Sequence, residues 1–277
     1  MKFNLHTHTR FSDGTDDPSA YIEEAIRQGF HTLGISDHSP VPFDNTFAIP
    51  EGRLQEYCDE ISIFRHPASL SILIALEIDY IPGITESTDY YRKNYSFDYF
   101  IGSVHFVKGP GMQDLWFIDG PDVSIYDKGL TDIFGGDIRK GVTAYYHQQN
   151  GLIINEKPDI LGHMDKIKMY NRGRYFSEDD PWYESLVDET LSLVKESGCV
   201  VEVNTRGIYK KRSDSLFPGP SILKKIKALG IPITLSSDAH KPSELSGCFP
   251  EATQILKELG YKSIAMKTKS GWTDQSI

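Results

Sequence analysis

Short runs of apolar and β-branched residues recur along the chain, separated by longer stretches in which apolar positions return every three or four residues. The short runs Phe3–Leu5, Thr32–Ser36, Ile72–Leu76, Tyr99–Val104, Asp159–Leu161, Val200–Val203 and Ile233–Leu235 predict strands, and Ser263–Met266 a weaker eighth. The stretches between them predict helices. Asp17-Pro18 sets a capping carboxylate before a proline at the first helical position. Tyr21, Ile22, Ala25 and Ile26 then recur at helical spacing, and Gly29 follows as a stop. Trp182 to Ser197 repeats the plan with Leu186, Val187, Leu193 and Val194 before Gly198, and Ser221 to Leu229 does so before Gly230. Such alternation predicts an α/β protein with a parallel sheet, open or closed into a barrel. A single α/β barrel commonly runs to about 250 residues, so the 277 residues present predict one domain over 1–277.

One region breaks the rhythm. Lys108 to Lys140, with "GPGMQDLWFIDGPD" and "GLTDIFGGD", is rich in Gly, Asp and aromatics. It predicts an irregular excursion over a binding site or a contact surface. No internal repeat, low-complexity tract or Ser/Gly-rich linker divides the chain.

Composition narrows the chemistry. A hydrophobic fraction of 39% supports a real core. The mean hydropathy is −0.36, and no run approaches the roughly 18 apolar residues of a membrane helix. The N-terminus shows no basic stretch followed by an apolar core of the kind that directs export. Cys58, Cys199 and Cys248 are odd in number and widely spaced, which fits a reducing cytoplasm and leaves any metal to nitrogen and oxygen ligands. The net charge of −10 disfavours a nucleic-acid partner, because affinity for a phosphate backbone comes chiefly from Lys and Arg. A small anionic substrate stays open, since bound cations reverse the field locally.

The residues that end each predicted strand carry the functional signal. The first ends in His6 and His8, which point to one face because side chains alternate along a strand. The second runs into Asp37 and His38, the third ends at Glu77, and the fourth at His105. The fifth ends at His163 with Asp165 close behind, the sixth is followed by Asn204 and Arg206, and the seventh ends in Asp238 and His240. In a parallel α/β protein all these ends lie on one rim. His31, His66 and His147 fall elsewhere and are expected to be structural. Imidazole and carboxylate without thiolate suit zinc, manganese or iron. Six histidines with Glu77, Asp13 and Asp238 exceed the needs of one ion, so the count favours two or three divalent metals with a bridging carboxylate.

Taken in order, "HTHTRFSDG", "SDH", the Glu of "ALEIDY", "GSVH", "GHMD" and "SDAH" resemble the PHP (polymerase and histidinol phosphatase) superfamily of metal-dependent phosphoesterases. Within it, "SDHSPVP", "FDYFIGSVHF", "PDILGHMDKIK", "VEVNTRGIYK" and "IPITLSSDAHKP" are most similar to the histidinol-phosphate phosphatase branch. The resemblance implies a distorted (β/α)7 barrel with the metal site at the C-terminal ends of the strands, which makes the eighth strand peripheral. It also implies a trinuclear centre. His6, His8, Glu77 and Asp238 would hold the first metal. Glu77 would bridge to a second held by His105 and His163, and Asp13, His38 and His240 would hold the third. The segment 108–150 matches the family least well.

The reaction then expected is hydrolysis of L-histidinol phosphate to L-histidinol and phosphate in histidine biosynthesis, by attack of a hydroxide that bridges two metals. Arg206, with Asn204 beside it, would bind the phosphate, a guanidinium being able to grip it in bidentate fashion. Asp238, His240 or Asp165 would serve the leaving oxygen. Phe43, Asp44, Phe47 and the Trp116 region would meet the imidazole and ammonium of such a substrate. GxSxG does not occur, so no serine nucleophile of that type is indicated. Three rival readings compete with this one. A PHP-type enzyme acting on a nucleotide or sugar phosphate, or as a 5′ exonuclease, would keep the metals and change the pocket. An amidohydrolase would bridge its metals with a modified lysine, yet no lysine ends strands three to six. A metal-binding scaffold would tolerate lost ligands, whereas all nine positions here carry a competent residue.

Overall fold

The computed structural model describes residues 2–65, 70–111 and 114–277. His66 lies outside the described residues. Seven strands form one sheet: β1 (Lys2–Asn4), β2 (Phe30–Ile35), β3 (Ser71–Asp79), β4 (Tyr99–Ser103), and, after an inserted hairpin of β5 (Phe106–Lys108) and β6 (Leu115–Phe117), β7 (Ile160–Leu161), β8 (Val200–Asn204) and β9 (Ile233–Ser236). Their spatial order is β1-β2-β3-β4-β7-β8-β9, and every neighbouring pair is parallel. The sheet curls until its two edges meet. Just beyond β1 and β9, Thr7 bridges Ala239, with His8 N–H donating to Ala239 O at 2.8 Å and Ala239 N–H to His6 O at 3.2 Å. The result is a nearly closed, distorted (β/α)7 barrel whose seam is stitched at the rim that carries the ligand-type residues.

The helices form where the periodicity places them. α1 (Pro18–Arg27), α6 (Pro181–Ser197) and α8 (Pro220–Leu229) each open on a proline, whose missing N–H costs nothing in the first turn. Each is followed by a glycine at positive φ, Gly29, Gly198 and Gly230. Asp17 sits at the N-cap of α1, but its side chain makes no cap hydrogen bond and pairs with Arg10 instead. α2 (Leu54–Ser62) and α3 (Thr88–Asn94) cover the early strands.

The excursion at Lys108–Lys140 is regular, contrary to expectation. β5 and β6 pair antiparallel, and α4 (Val123–Phe134) and α5 (Ile138–Glu156) follow, capped by the side chains of Asp122 and Asp137. Trp116 belongs to the core rather than to a substrate pocket. It is fully buried, and its Nε1–H donates to Tyr126 O at 2.8 Å. Gly129 of α4 and Gly141 of α5 make room for it: a Cβ would come within 2.3 Å and 2.6 Å of the indole respectively. His147 lies exposed on α5 and His31 exposed at the start of β2.

The weaker eighth strand exists but stands outside the barrel. β10 (Ser263–Thr268) pairs antiparallel with β11 (Gly271–Ser276). The short α7 (Arg206–Tyr209) follows β8 directly, and α9 (Phe249–Glu258) leads into β10. No helix among the described residues is long and apolar enough to cross a membrane.

Candidate metal centre

Six of the seven barrel strands deliver proposed ligands to one rim, and β8 brings Glu202 and Asn204 up behind them. His6 and His8 follow β1 with ring centroids 5.0 Å apart, both fully buried. The turn after them is locked by Asp37, whose carboxylate accepts from Thr9 N–H at 2.7 Å, Thr9 Oγ1 at 3.0 Å and Ser12 N–H at 3.1 Å. Gly14 lets this turn fold back, since a Cβ there would sit 2.1 Å from the His8 carbonyl oxygen.

Glu77, near the end of β3, stands at the middle. Its Oε2 lies 3.1 Å from His6 Nε2 and 3.4 Å from His8 Nε2. Its Oε1 lies 3.1 Å from His163 Nε2 and 3.6 Å from His105 Nε2. One carboxylate therefore presents one oxygen to each of two imidazole pairs, which is the geometry of a bridge. Asp238 Oδ1 completes the first group, 3.3 Å from His8 Nε2 and 3.8 Å from His6 Nε2. The third group gathers around Asp13, with His240 Nε2 at 3.1 Å and His38 Nε2 at 3.9 Å. All nine residues anticipated as ligands converge here, in overlapping sets whose ligand atoms lie within 4.8 Å of one another.

The donor set fits divalent cations. His6 Nε2 and His8 Nε2 are buried without a hydrogen-bond partner among the described residues, an expensive state unless something electrophilic satisfies them. Burial, then the neighbouring His240 and His38, pushes His8 down to about 3, so it is neutral and able to donate a lone pair. Burial would raise Glu77 and Asp238, but the imidazoles around them, His6 first, outweigh it and hold both well below the usual carboxylate range. Imidazole and carboxylate in this number suit zinc, manganese or iron.

Two carboxylates behind the ligands escaped the sequence reading. Glu202 of β8 is fully buried and holds His6 Nδ1 at 2.6 Å while accepting His163 N–H at 2.9 Å. Asp79 contacts His105 Nδ1 and lies 3.1 Å from His38 Nδ1. A carboxylate on the far nitrogen fixes the tautomer and aims the near nitrogen at the ion. Both follow a strand rule. Asp79 is two residues after Glu77 and Glu202 two before Asn204, so each shares its partner's face, and a charge in an apolar strand was the available signal.

Two expected roles do not fit the arrangement. Asp165 turns away from the rim, taking Lys168 Nζ at 2.7 Å and Gly219 N–H at 2.9 Å, so it does not face a leaving group. Asn204 is buried and donates to Asp238 Oδ2 and Glu202 Oε2, both at 3.2 Å; it steadies ligands rather than holding phosphate. Arg206 lines the cavity with its Nη1 donating to Asp238 O at 2.7 Å and 2.7 Å from His240 Nδ1, and its Nε and Nη2 have no hydrogen-bond partner among the described residues. Arg212 lines the same cavity and has no side-chain hydrogen bond or ion pair with any described residue. The cavity, about 310 Å³, opens over the centre and is walled by Phe47, Phe106 and Phe117, with Asp119 and Lys166 beside them. Phe43 packs on Phe106 and Asp44 is exposed, so neither lines the cavity.

Fold and site together define a barrel built to hold a multinuclear metal centre. Residues 4–206 match the PHP domain, and the chain belongs to that family. It is 28% identical over 268 residues to a protein of Deinococcus radiodurans described as a probable histidinol-phosphatase, covering 95% of both chains. It is 25% identical over 262 residues to the histidinol-phosphatase of Bacillus subtilis, covering 88% of this chain and 96% of that one. The crystal structure of the histidinol phosphate phosphatase of Lactococcus lactis, complexed with zinc, L-histidinol and phosphate, superposes with a TM-score of 0.70 at 20% identity, covering 98% of both chains.

Proposed function

We propose that this protein is a metal-dependent phosphomonoesterase that hydrolyses L-histidinol phosphate to L-histidinol and phosphate. The observation that carries the reading is Glu77, one carboxylate shared between two buried histidine pairs, in a chain whose relatives of that activity match it over nearly their whole lengths. Divalent ions held by His6, His8, Asp13, His38, Glu77, His105, His163, Asp238 and His240 would supply a water acidic enough to attack at neutral pH and neutralise the phosphoryl oxygens.

The chain's own groups do the rest. Glu202 and Asp79 hold three imidazoles in register, so little reorganisation is left for the reaction. Lys166 and Arg212 place positive charge on the cavity wall, where a phosphate dianion needs it. His240 lines the cavity with its Nε2 3.1 Å from Asp13 and its Nδ1 2.7 Å from Arg206 Nη1, so both of its nitrogens are engaged in the centre. The aromatic wall excludes water from that side and offers a flat surface to a heterocycle.

The test is phosphate release from L-histidinol phosphate beside a panel of nucleotides and sugar phosphates, with manganese- or zinc-loaded protein and His6→Ala as control. The expected result is a preference near 10³ in kcat/KM for histidinol phosphate, roughly 4 kcal/mol of transition-state discrimination. Weak activity spread evenly over the panel, yet abolished in His6→Ala, would move the substrate elsewhere and leave the metal centre in place.

A further inference from the structure

Asp119 is the one acid of the cavity wall that neither belongs to the proposed ligand set nor orients a member of it. It follows β6, in the segment that resembles the family least, and lines the cavity between the centre and the phenylalanine wall. Its Oδ1 is buried without a hydrogen-bond partner among the described residues. Its Oδ2 lies 3.4 Å from Lys166 Nζ, a loose contact, and 3.9 Å from His105 Nε2. Lys166 is itself buried and sits 4.0 Å from Asp238 Oδ2, so its ammonium stands between the wall carboxylate and the centre.

A carboxylate so poorly satisfied is costly unless a cation completes it. The reacting ester supplies the complement if it carries an ammonium two carbons from the ester oxygen. Four bonds then separate nitrogen from phosphorus, which keeps the two within roughly 5 Å. That is the scale on which Lys166 spans Asp119 and Asp238. Next to Asp119 the rings of Phe106 and Phe117 stack at 4.5 Å and 11°, with Phe47 against Phe106 at 5.6 Å, a surface for the flat group beyond the ammonium.

We infer that Asp119 determines specificity by accepting the ammonium of an amine-bearing phosphate monoester, which enters by exchanging partners with the Asp119–Lys166 pair. The phosphate takes Lys166 and the ammonium takes Asp119, so one loose internal pair becomes two pairs with the substrate and no charge is left alone. The inference deepens the histidinol phosphate reading and rests on it for the flat group.

The experiment compares wild type and Asp119→Asn, both metal-loaded and with metal content measured, on L-histidinol phosphate and on 3-(imidazol-4-yl)propyl phosphate, which lacks only the amine. The expected result is that Asp119→Asn cuts the kcat/KM ratio between the two about 10- to 100-fold, the loss falling on the amine-bearing ester, with metal content and Tm unchanged. An unchanged ratio overturns the role of Asp119 while the proposed activity stands. Equal loss on both esters together with lost metal overturns it too, by placing Asp119 in the metal centre. Calorimetric binding of the non-hydrolysable 3-aminopropylphosphonate against propylphosphonate, which keeps the same four bonds between phosphorus and nitrogen, reads the same preference without turnover. If wild type fails on histidinol phosphate but favours the amine here and Asp119→Asn does not, the activity falls and the ammonium site stands; no preference removes both.

Discussion

Glu77 decides the character of the centre at the scale of single residues, because its two oxygens serve different imidazole pairs. The imidazoles themselves depend on side chains behind them. His6 is aimed by Glu202 at 2.6 Å in a site with no water access. Replacing Glu202 by Gln keeps the shape and removes the charge that polarises His6. The expected outcome is a 10- to 100-fold weaker metal affinity, measured by competition with a chelator, with a largely unchanged Tm of the metal-free protein. An affinity within twofold of wild type would show that Glu202 only fills space. The candidate ligands were legible in the sequence because a histidine or an acid follows six of the seven barrel strands, from His6 to His240, and that pattern has one rim as its simplest cause. The supporting residues were not. Asp165 and Glu202 are both carboxylates near strand ends, and only the backbone path says that one turns to Lys168 and the other to His6.

At the scale of elements, the barrel strands and three helices followed their patterns to within three residues, the largest difference being the end of β3 at Asp79. Proline-first, glycine-last punctuation marks both ends of a helix by backbone chemistry alone. The excursion did not, because β5 and β6 have three residues each and the packing of α4 and α5 turns on glycines that accommodate Trp116. A glycine inside a helix reads as a breaker, yet here it is a socket. Gly129→Val should therefore overpack the indole and cost about 1–3 kcal/mol, read from a urea midpoint. It should also perturb the Phe106–Phe117 wall, raising KM more than it lowers kcat. A stability equal to wild type would mean that α4 shifts freely and does not set the hairpin's position.

Across the whole molecule, the centre is a concentration of buried charge that folding alone leaves poorly paired. Burial lowers His38 and His105, but Glu77 and Asp79 around the first, and Asp79 first around the second, outweigh it and lift them to about 10 and about 9. In the metal-free protein these raised values contribute stability that is fully present below the unfolded pKa near 6.5 and is lost as pH rises through 9 to 10. Metal binding runs the other way, because an imidazole must shed its proton to donate. Chelation at pH 8 should thus lower Tm by several degrees, and added zinc or manganese should restore it. The apparent metal affinity should rise from pH 6.5 to 9 with proton release on binding, seen as a buffer-dependent heat in calorimetry. A Tm indifferent to chelator, or an affinity flat with pH, would count against ligation by these histidines.

The bridge between Thr7 and Ala239 ties these scales together. His6 O and His8 N–H are spent on Ala239, so the residues that would hold an ion also fasten the first strand to the last. The clasp of the ring and the setting of its centre are one stretch of backbone. Any fluctuation that parts the seam also carries His6 and His8 away from Asp238 and His240. Ions seated across that seam would act as rivets, so that shedding them and springing the barrel open would be one and the same motion.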